Sequence, residues 1–500
     1  MSAFMAAAPI GLVILAMTFW RWGAAGAGLL GLGATLVMAM AGFGFGARVY
    51  GDLGFVKATT GAFLEASFTA GAILWIIFPA LCIYELQARS GAFETLKRGL
   101  SQLGDDSRSI ALLVAFFFAL FLEGVAGFGT PVALAAPILV GLGFTPVRAV
   151  TLALIGHAAG VSFGAVGTPV LPQMAATGLS GLELARPAAL LHASLGVILV
   201  AFLVRLAGDA PPQPRDWMHG ALATLFFFAP FLALAWFVGP ELPSIGGAVL
   251  GGAAFAFVIR RTRPVASARI DGPGGLVLLH AATPYLAVVG LVLATRLMRS
   301  LRDALQSVLW DWTVFETFTG RIEPLYHPGT LLFVGFVAGG FLQGRSAIEM
   351  LRAAKFAAHR LGSVIIALLA MLALSRVMVH AGMIQSLAEA AAATGTAWPF
   401  LAPFVGVLGT FVTGSATSSN ILFSGFQEAT ATSLALPVGT LQGAQNFGAA
   451  VGNMVCPHNI IAGGATVGLA GREGEVLRST AAACLTYAAA GGLLLVYFLL

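Results

Sequence analysis

One carboxylate stands where a carboxylate is costly. Glu123 lies in Phe121-Leu-Glu-Gly-Val-Ala-Gly-Phe-Gly-Thr-Pro131, inside an otherwise unbroken apolar stretch. Burial in lipid or apolar protein disfavours the charged form, so Glu123 could carry a proton near neutral pH, as could Glu65 further upstream. A second polar interruption, Gly414-Ser-Ala-Thr-Ser-Ser-Asn420, brings hydroxyls and an amide into another apolar stretch. Exposed N–H groups at a turn or half-helix N-terminus attract an anion, and Ser415, Thr417, Ser418, Ser419 and Asn420 can donate to its oxygens. Gly127, Gly129 and Thr130 offer the same freed backbone in the first stretch. The chemistry on offer is the binding of an anion beside a protonatable carboxylate. The competing reading is local: Ser and Thr hydroxyls satisfy nearby backbone, and Glu123 caps a half-helix or pairs with an arginine.

Two further interruptions follow. Residues 160–169 read Gly-Val-Ser-Phe-Gly-Ala-Val-Gly-Thr-Pro and residues 448–457 read Gly-Ala-Ala-Val-Gly-Asn-Met-Val-Cys-Pro. Pro removes a helical hydrogen bond and Gly weakens the helix, so both spans should unwind near their middles. His157, Ser162 and Thr168 lie near the first break; Gln445, Asn446 and Asn453 lie near the second. All six join the substrate-binding candidates. Arg296 and Arg376 sit near the outer ends of spans. Either could grip a carboxylate with two prongs, although snorkelling is the commoner role there. Of the embedded histidines, His157 and His458 fall closest to the breaks; His192, His280 and His380 read as packing residues with their ring nitrogens satisfied. No catalytic set competes. Gly-Phe-Gly-Thr-Pro lacks the Gly-Lys-Ser/Thr ending of a phosphate loop, and there is no Gly-x-Ser-x-Gly elbow. Cys82, Cys456 and Cys484 are scattered, without disulfide or metal spacing. No cofactor motif is present.

These residues must be held by membrane helices. Of 500 residues, 58% are hydrophobic and 9% charged, against roughly a quarter charged in soluble domains. The chain reads as an all-α polytopic membrane protein, and the 63 glycines suit close helix packing. Its net charge of +5 comes from 26 basic residues, nearly all Arg, without the patch a nucleic-acid partner needs. Apolar spans fall at 3–20, 23–44, 58–86, 147–168, 187–207, 219–238, 244–259, 275–298, 328–343, 363–380, 440–463 and 476–500, with longer interrupted stretches at 110–143 and 398–437. Residues 3–20 read as a first span rather than a removed signal peptide. The polar stretch 299–327, with Trp310 and Trp312, suits a segment lying at the interface. Basic loops at 87–109, 260–271, 344–362 and 471–478 should all face the cytoplasm. They do so only if 110–143 and 398–437 each enter and return as re-entrant hairpins. That gives about twelve crossings plus two hairpins, with both termini outside.

An internal repeat accompanies this layout. Gly91–Leu96 echoes Gly382–Leu387, and Phe121-Leu-Glu-Gly echoes Phe411-Val-Thr-Gly. Pro146-Val147 echoes Pro437-Val438, and Gly160, Gly164 and Pro169 echo Gly448, Gly452 and Pro457. Each match is weak alone, and Gly-rich apolar segments resemble one another by chance, but the spacing between partners stays nearly constant. The sequence divides into a first inverted repeat at 1–207, linking helices at 208–272 and a second inverted repeat at 273–500, the organisation of many secondary transporters.

On these residues the sequence resembles the L-lactate permease family of bacterial carriers. The matching segments are Phe121–Pro131, Phe163–Pro169, Pro328–Thr330, Gly414–Asn420, Gly452–Ile460 and Ala465–Glu475. The resemblance implies proton-linked import of lactate, glycolate and related 2-hydroxymonocarboxylates, on an inverted-repeat ion-transporter fold with two hairpins. The chain departs from the family's usual residues in three places: Ala416 where Asp or Asn is usual, Asn453 where Lys is frequent, and His157-Ala158 where Asn-Thr is frequent. It therefore resembles a divergent member.

The expected function is secondary transport of a small organic anion with a proton across the bacterial inner membrane. Ser415, Thr417, Ser418 and Asn420 would hold the carboxylate, and Glu123 would carry the proton. Sodium coupling is the alternative within carriers, since hairpin hydroxyls and carbonyls make good sodium ligands. A passive anion channel is a second class. An enzyme would need a nucleophile–base pair or a metal set, and neither is found. Lipid is the surrounding partner, and a homo-oligomer is compatible with the sequence without being required by it.

Overall fold

The computed structural model describes residues 2–20, 22–101, 106–127, 129–262, 274–469 and 472–499. It is a helical membrane protein. Among the described residues eight helices are long and apolar enough to cross a bilayer, or ten if each of two bent pairs is one span. The bends are 67° between Gly275–Ala281 and Thr283–Thr295, which divides the expected span 275–298, and 74° between Ile365–His380 and Met383–Ala392, which falls where the expected span 363–380 ends. Several expected spans are instead short apolar helices, such as Pro328–Leu342. The 58–86 span is longer than expected, running Gly54–Arg89 over 36 residues. Of the basic-loop residues, Arg263 and Arg269 lie outside the described residues.

The span at Pro146–Thr177 is buried along its whole apolar window. It is helical at Pro146–His157, tightens to a 3-10 turn at Ala158–Phe163, and resumes as helix at Leu171–Thr177. The freed backbone groups between these pieces therefore face protein, the setting in which lipid tolerates a broken helix. In the second half Val438–Gly452 ends at Asn453, and Pro457–Thr466 follows.

Each broken span packs against a helical hairpin. In the first, Ser107–Ala111, a π-helical stretch at Leu112–Phe118 and Ala119–Val125 form one arm, and Thr130–Gly141 returns. Both ends of this hairpin are tied to one connection. Arg108 donates to the carbonyls of Val204, at 3.0 Å, and Ala210, and pairs with Asp216 at 3.2 Å. Just past the return arm, Arg148 pairs with Asp209, and that hydrogen bond holds the Asp209 carboxyl below its usual range. The second hairpin runs Trp398–Thr413 and back as Ala416–Ser433. Its arms are pinned by Ser419 Oγ donating to Gly406 O (3.0 Å), Gln427 Nε2 to Ala402 O (3.1 Å) and Trp398 Nε1 to Gln427 Oε1 (3.2 Å).

Glycine lets hairpin and broken span touch backbone to backbone in both halves. A Cβ added at Gly156 would strike the carbonyl of Ala115; one added at Gly448 would strike the carbonyl of Pro403. Four residues on, Gly160 meets Leu120 and Gly452 meets Val407.

One segment departs from the all-α expectation. Residues 310–322 form an antiparallel two-stranded ribbon with Trp310 opposite Ile322 and Val314 opposite Phe318. Trp-Asp-Trp-Thr-Val and Phe-Thr-Gly-Arg-Ile alternate in the strand period, and the turn places Phe315 and Glu316 at φ of 53° and 57°. The ribbon docks on the helix Gly54–Arg89: Phe318 is fully buried over Gly61, and Trp312 packs edge-on to Phe68 at 5.7 Å.

Candidate functional site

The hairpin tips and the breaks converge. A cavity of about 40 Å³ is lined by Gly127 and Gly129 from the first tip and by Gly414, Ser415, Ala416 and Thr417 from the second. Val161, Gly164, Ala165, Thr168 and Pro169 of the first break, Asn453 of the second, and Glu123 complete its wall. A site of this volume holds a few water-sized groups.

Local geometry explains the freed backbone. Gly127 and Gly129 take φ of 56° and 77°, and Gly414 takes 77°, a region open to glycine at little cost. Thr130 closes the first turn by donating to Gly127 O at 2.8 Å. Ser415 caps the returning helix by accepting from Ser418 N at 3.3 Å. Ala416 and Thr417 are the first residues of that helix, whose first N–H groups have no intrahelical acceptor. Ala165 and Val166 hold φ of 43° and 56°, costly for a side chain with a Cβ and more so for a branched one. Thr168 stabilises that kink by donating to Ala165 O at 2.5 Å.

Glu123 is 4% exposed. Its nearest basic group is His157, whose Nε2 lies 3.9 Å from Oε2. His157 donates from Nδ1 to the carbonyl of Ala153 (2.6 Å), and Nε2 is hydrogen-bonded to the Asn453 side-chain amide (3.1 Å). A Cβ at Gly164 would collide with Glu123 Oε1, so that glycine makes room for the carboxylate. Ala416 and Asn453 line the cavity and His157 bonds to Asn453, which gathers the departures from the family pattern in one place.

The remaining amide candidates sit behind the cavity. Asn420 donates to Pro169 O (2.9 Å) and Asn446 Oδ1 (3.1 Å) and accepts from Gln445 Nε2 (3.3 Å). Asn446 donates to Ser162 O at 3.2 Å, and Ser162 Oγ is bonded to His192 Nε2 at 2.8 Å. His192 continues to Tyr487 OH at 3.0 Å. This buried chain joins the second hairpin to both breaks. His192 is packed on Phe447 with both ring nitrogens bonded, and Tyr487 was not among the residues the sequence singled out. A tyrosine in an apolar terminal span gives no local signal of such a partner. Ser418 is half-buried and does not line the cavity.

Other candidates lie elsewhere. Glu65 pairs with His380 Nε2 at 2.8 Å and accepts from Thr319 N, in the ribbon, at 3.0 Å. His380 is held on its other side by Tyr50 OH at 3.0 Å, so its ring links Glu65 to Tyr50 by hydrogen bonds. Arg376 lines a separate, larger cavity and donates to Ala175 O at 2.9 Å. The Arg296 side chain lies outside the described residues. His458 is exposed and abuts Gly414, and His280 is exposed as well rather than packed inside.

The L-lactate permease family model matches residues 2–320 and 313–500. The L-lactate permease of Bacillus subtilis is 28% identical over 475 residues, covering 85% of this chain and 84% of its own. That of Salmonella typhimurium is 30% identical over 447 residues, covering 82% and 81%. The glycolate permease GlcA of Escherichia coli is 29% identical over 476 residues, covering 84% and 83%. Among solved structures, Neisseria gonorrhoeae MtrF, described as illuminating a class of antimetabolite efflux pumps, aligns with a TM-score of 0.54 at 15% identity, over 97% of each chain.

Proposed function

Since the chain belongs to the L-lactate permease family, a family of membrane permeases and not of enzymes, we propose that it imports 2-hydroxymonocarboxylates of the lactate and glycolate type together with protons. The observation that carries this reading is the tip cavity: two glycine-freed turns, two broken spans and one buried carboxylate meet around a single small volume. Names of the relatives supply the anion class.

The anion's carboxylate sits against the first N–H groups of the Ala416–Ser433 helix, with Ser415 and Thr417 beside it. Gly127 and Gly129 let the opposite turn approach without a side chain between. Asn420, Gln445, Asn446 and Ser162 fix the helices that carry the site. Glu123 takes the proton. A carboxylate and a bound anion in one small buried volume repel each other unless one is neutralised, so loading the anion and protonating Glu123 reinforce one another. The pair then crosses without net charge. Glu65, committed to His380 and the ribbon, is not part of this exchange.

We read the hairpins as re-entrant in the bilayer, the halves as inverted repeats divided at 1–207, 208–272 and 273–500, and both termini as outside the bacterial inner membrane. Support for this comes from the shared anchoring of residues 108 and 148 and from the matched glycine contacts of the two halves.

Uptake of labelled L-lactate and glycolate into proteoliposomes, driven in turn by an imposed pH gradient and an imposed sodium gradient, tests the proposal. Saturable uptake on the pH gradient alone is expected. Uptake that follows sodium, or ohmic current without saturation, would replace it.

A further inference from the structure

A second cavity, of about 280 Å³, lies between the helices Leu171–Thr177, Gly362–His380, Met383–Ala392 and Ala416–Ser433. Two of its lining residues are charged, Arg376 and Glu428. They lie within Coulombic range of each other, yet among the described residues no ion pair within 4.0 Å joins them. Among the described residues Arg376 makes one hydrogen bond, to Ala175 O, which leaves most of its guanidinium donors for the cavity. The Glu428 carboxylate has no hydrogen bond among the described residues. Of the other polar groups of the wall, Ser375 Oγ donates to Ile421 O at 3.0 Å, Thr432 Oγ1 to Glu428 O at 2.9 Å and Gln385 Nε2 to Glu389 Oε1 at 3.1 Å. The other carboxylate near Arg376, Glu65, is held by His380 and Thr319.

A guanidinium and a carboxylate that share a cavity without meeting suit a ligand that bridges them. Arginine's planar fork matches a carboxylate in two prongs. Glu428 adds an acceptor for a donor placed next to that carboxylate. A 2-hydroxymonocarboxylate presents this pair, an anionic end and an adjacent hydroxyl. A simple fatty acid anion lacks the hydroxyl.

The two cavities lie in succession along the same two segments. Pro169 lines the tip cavity and Pro172 the larger one; Thr417 lines the first, and Ile421 and Glu428 line the second, along a single helix. From Thr417 to Glu428 the rise is about 16 Å at 1.5 Å per residue. The larger cavity stands at the end where Thr177, His380 and Ser433 close their helices.

We propose that this cavity is an antechamber that selects the substrate: Arg376 takes the carboxylate, Glu428 accepts from the 2-hydroxyl, and the anion then passes along the Ala416–Ser433 helix to the tips. This rests on the proposed transport of hydroxy acids. It adds a second binding station and assigns the recognition of the hydroxyl.

The test is initial-rate counterflow of labelled L-lactate in right-side-out and inside-out vesicles, with propionate and L-alanine as competitors. Arg376→Gln is expected to raise the KM for L-lactate by about tenfold or more, the loss of a charge-assisted contact, from the side bearing residues 381–382 and 434–437 only. Arg376→Lys should recover part of it and serves if the Gln variant folds poorly. Glu428→Gln should narrow the preference for L-lactate over propionate. An unchanged KM in both Arg376 variants, or a rise equal from both sides, overturns the antechamber. Equal effects of Glu428→Gln on L-lactate and propionate overturn the hydroxyl assignment, and strong competition by L-alanine makes the site one for amino acids. If the wild type carries no 2-hydroxy acid from either side, the transport reading itself fails.

Discussion

Replacing Glu123 by Gln separates the proton from the anion. The amide is close in size to the carboxylate, which is 4% exposed and 3.9 Å from His157 Nε2, so packing is kept and only that long contact is weakened. What disappears is the group proposed to take up the proton. Each cycle that carries an anion then moves one negative charge. A potential of about 100 mV, inside negative, opposes that charge by about 2.3 kcal/mol, or about 50-fold in the accumulation ratio. The assay is uptake into proteoliposomes under an imposed pH gradient, with and without a potassium-diffusion potential, beside counterflow at equal pH. The variant should lose pH-driven accumulation, become sensitive to the potential and keep part of its counterflow. Equal loss of all activities would remove Glu123 from the coupling role. Retained pH-driven accumulation would place the proton elsewhere.

Asn420→Ala should remove the side-chain donor to Pro169 O and Asn446 Oδ1, while Gln445 Nε2 keeps Ser419 Oγ as an acceptor, at about 1–3 kcal/mol for each group left unpaired; thermal unfolding in detergent reads this out, with Ser418→Ala, whose hydroxyl makes no hydrogen bond among the described residues, nearly neutral beside it. Gly448→Ala would press a methyl onto the carbonyl of Pro403 and should destabilise by about 1–3 kcal/mol, whereas Gly33→Ala, with open space around it, should be neutral or stabilising by up to about 1 kcal/mol. Single cysteines introduced at Ser107 and Thr145, with the buried Cys82, Cys456 and Cys484 replaced, should be labelled by an impermeant thiol reagent from one and the same side; labelling from opposite sides would end the re-entrant reading.

Much of this architecture is legible because lipid leaves few options. A Gly-Phe-Gly-Thr-Pro or Gly-Ser-Ala-Thr-Ser interruption in an apolar run must be buried in protein or line a cavity, and the two interruptions do share one. Basic loops put the two ends of the 110–143 stretch on one side, and Arg108 and Arg148 tie those ends to a single connection. Register was harder to read. The sequence echoes pair Gly160 with Gly448, while the backbone contacts match Gly156 with Gly448 and Gly160 with Gly452. In glycine-rich helices a shift of one turn barely alters the pattern, and only the facing hairpin arm fixes it. Long-range polar pairs were not legible. Glu65 and His380 are separated by 315 residues and His192 and Tyr487 by 295, and nothing in either local sequence names the partner. The ribbon at 310–322 hid behind its two tryptophans, which suit an interface segment as well as a strand. The antechamber escaped notice because Arg376, taken alone, is indistinguishable from a snorkelling arginine.

The most direct measurement is substrate protection at the tip cavity. With Thr417→Cys as the single reactive thiol in reconstituted protein, saturating L-lactate should slow modification by a small thiol reagent several-fold, and propionate less. A modification rate that ignores L-lactate, in a variant that still transports it, would put the bound anion somewhere other than between the two turns.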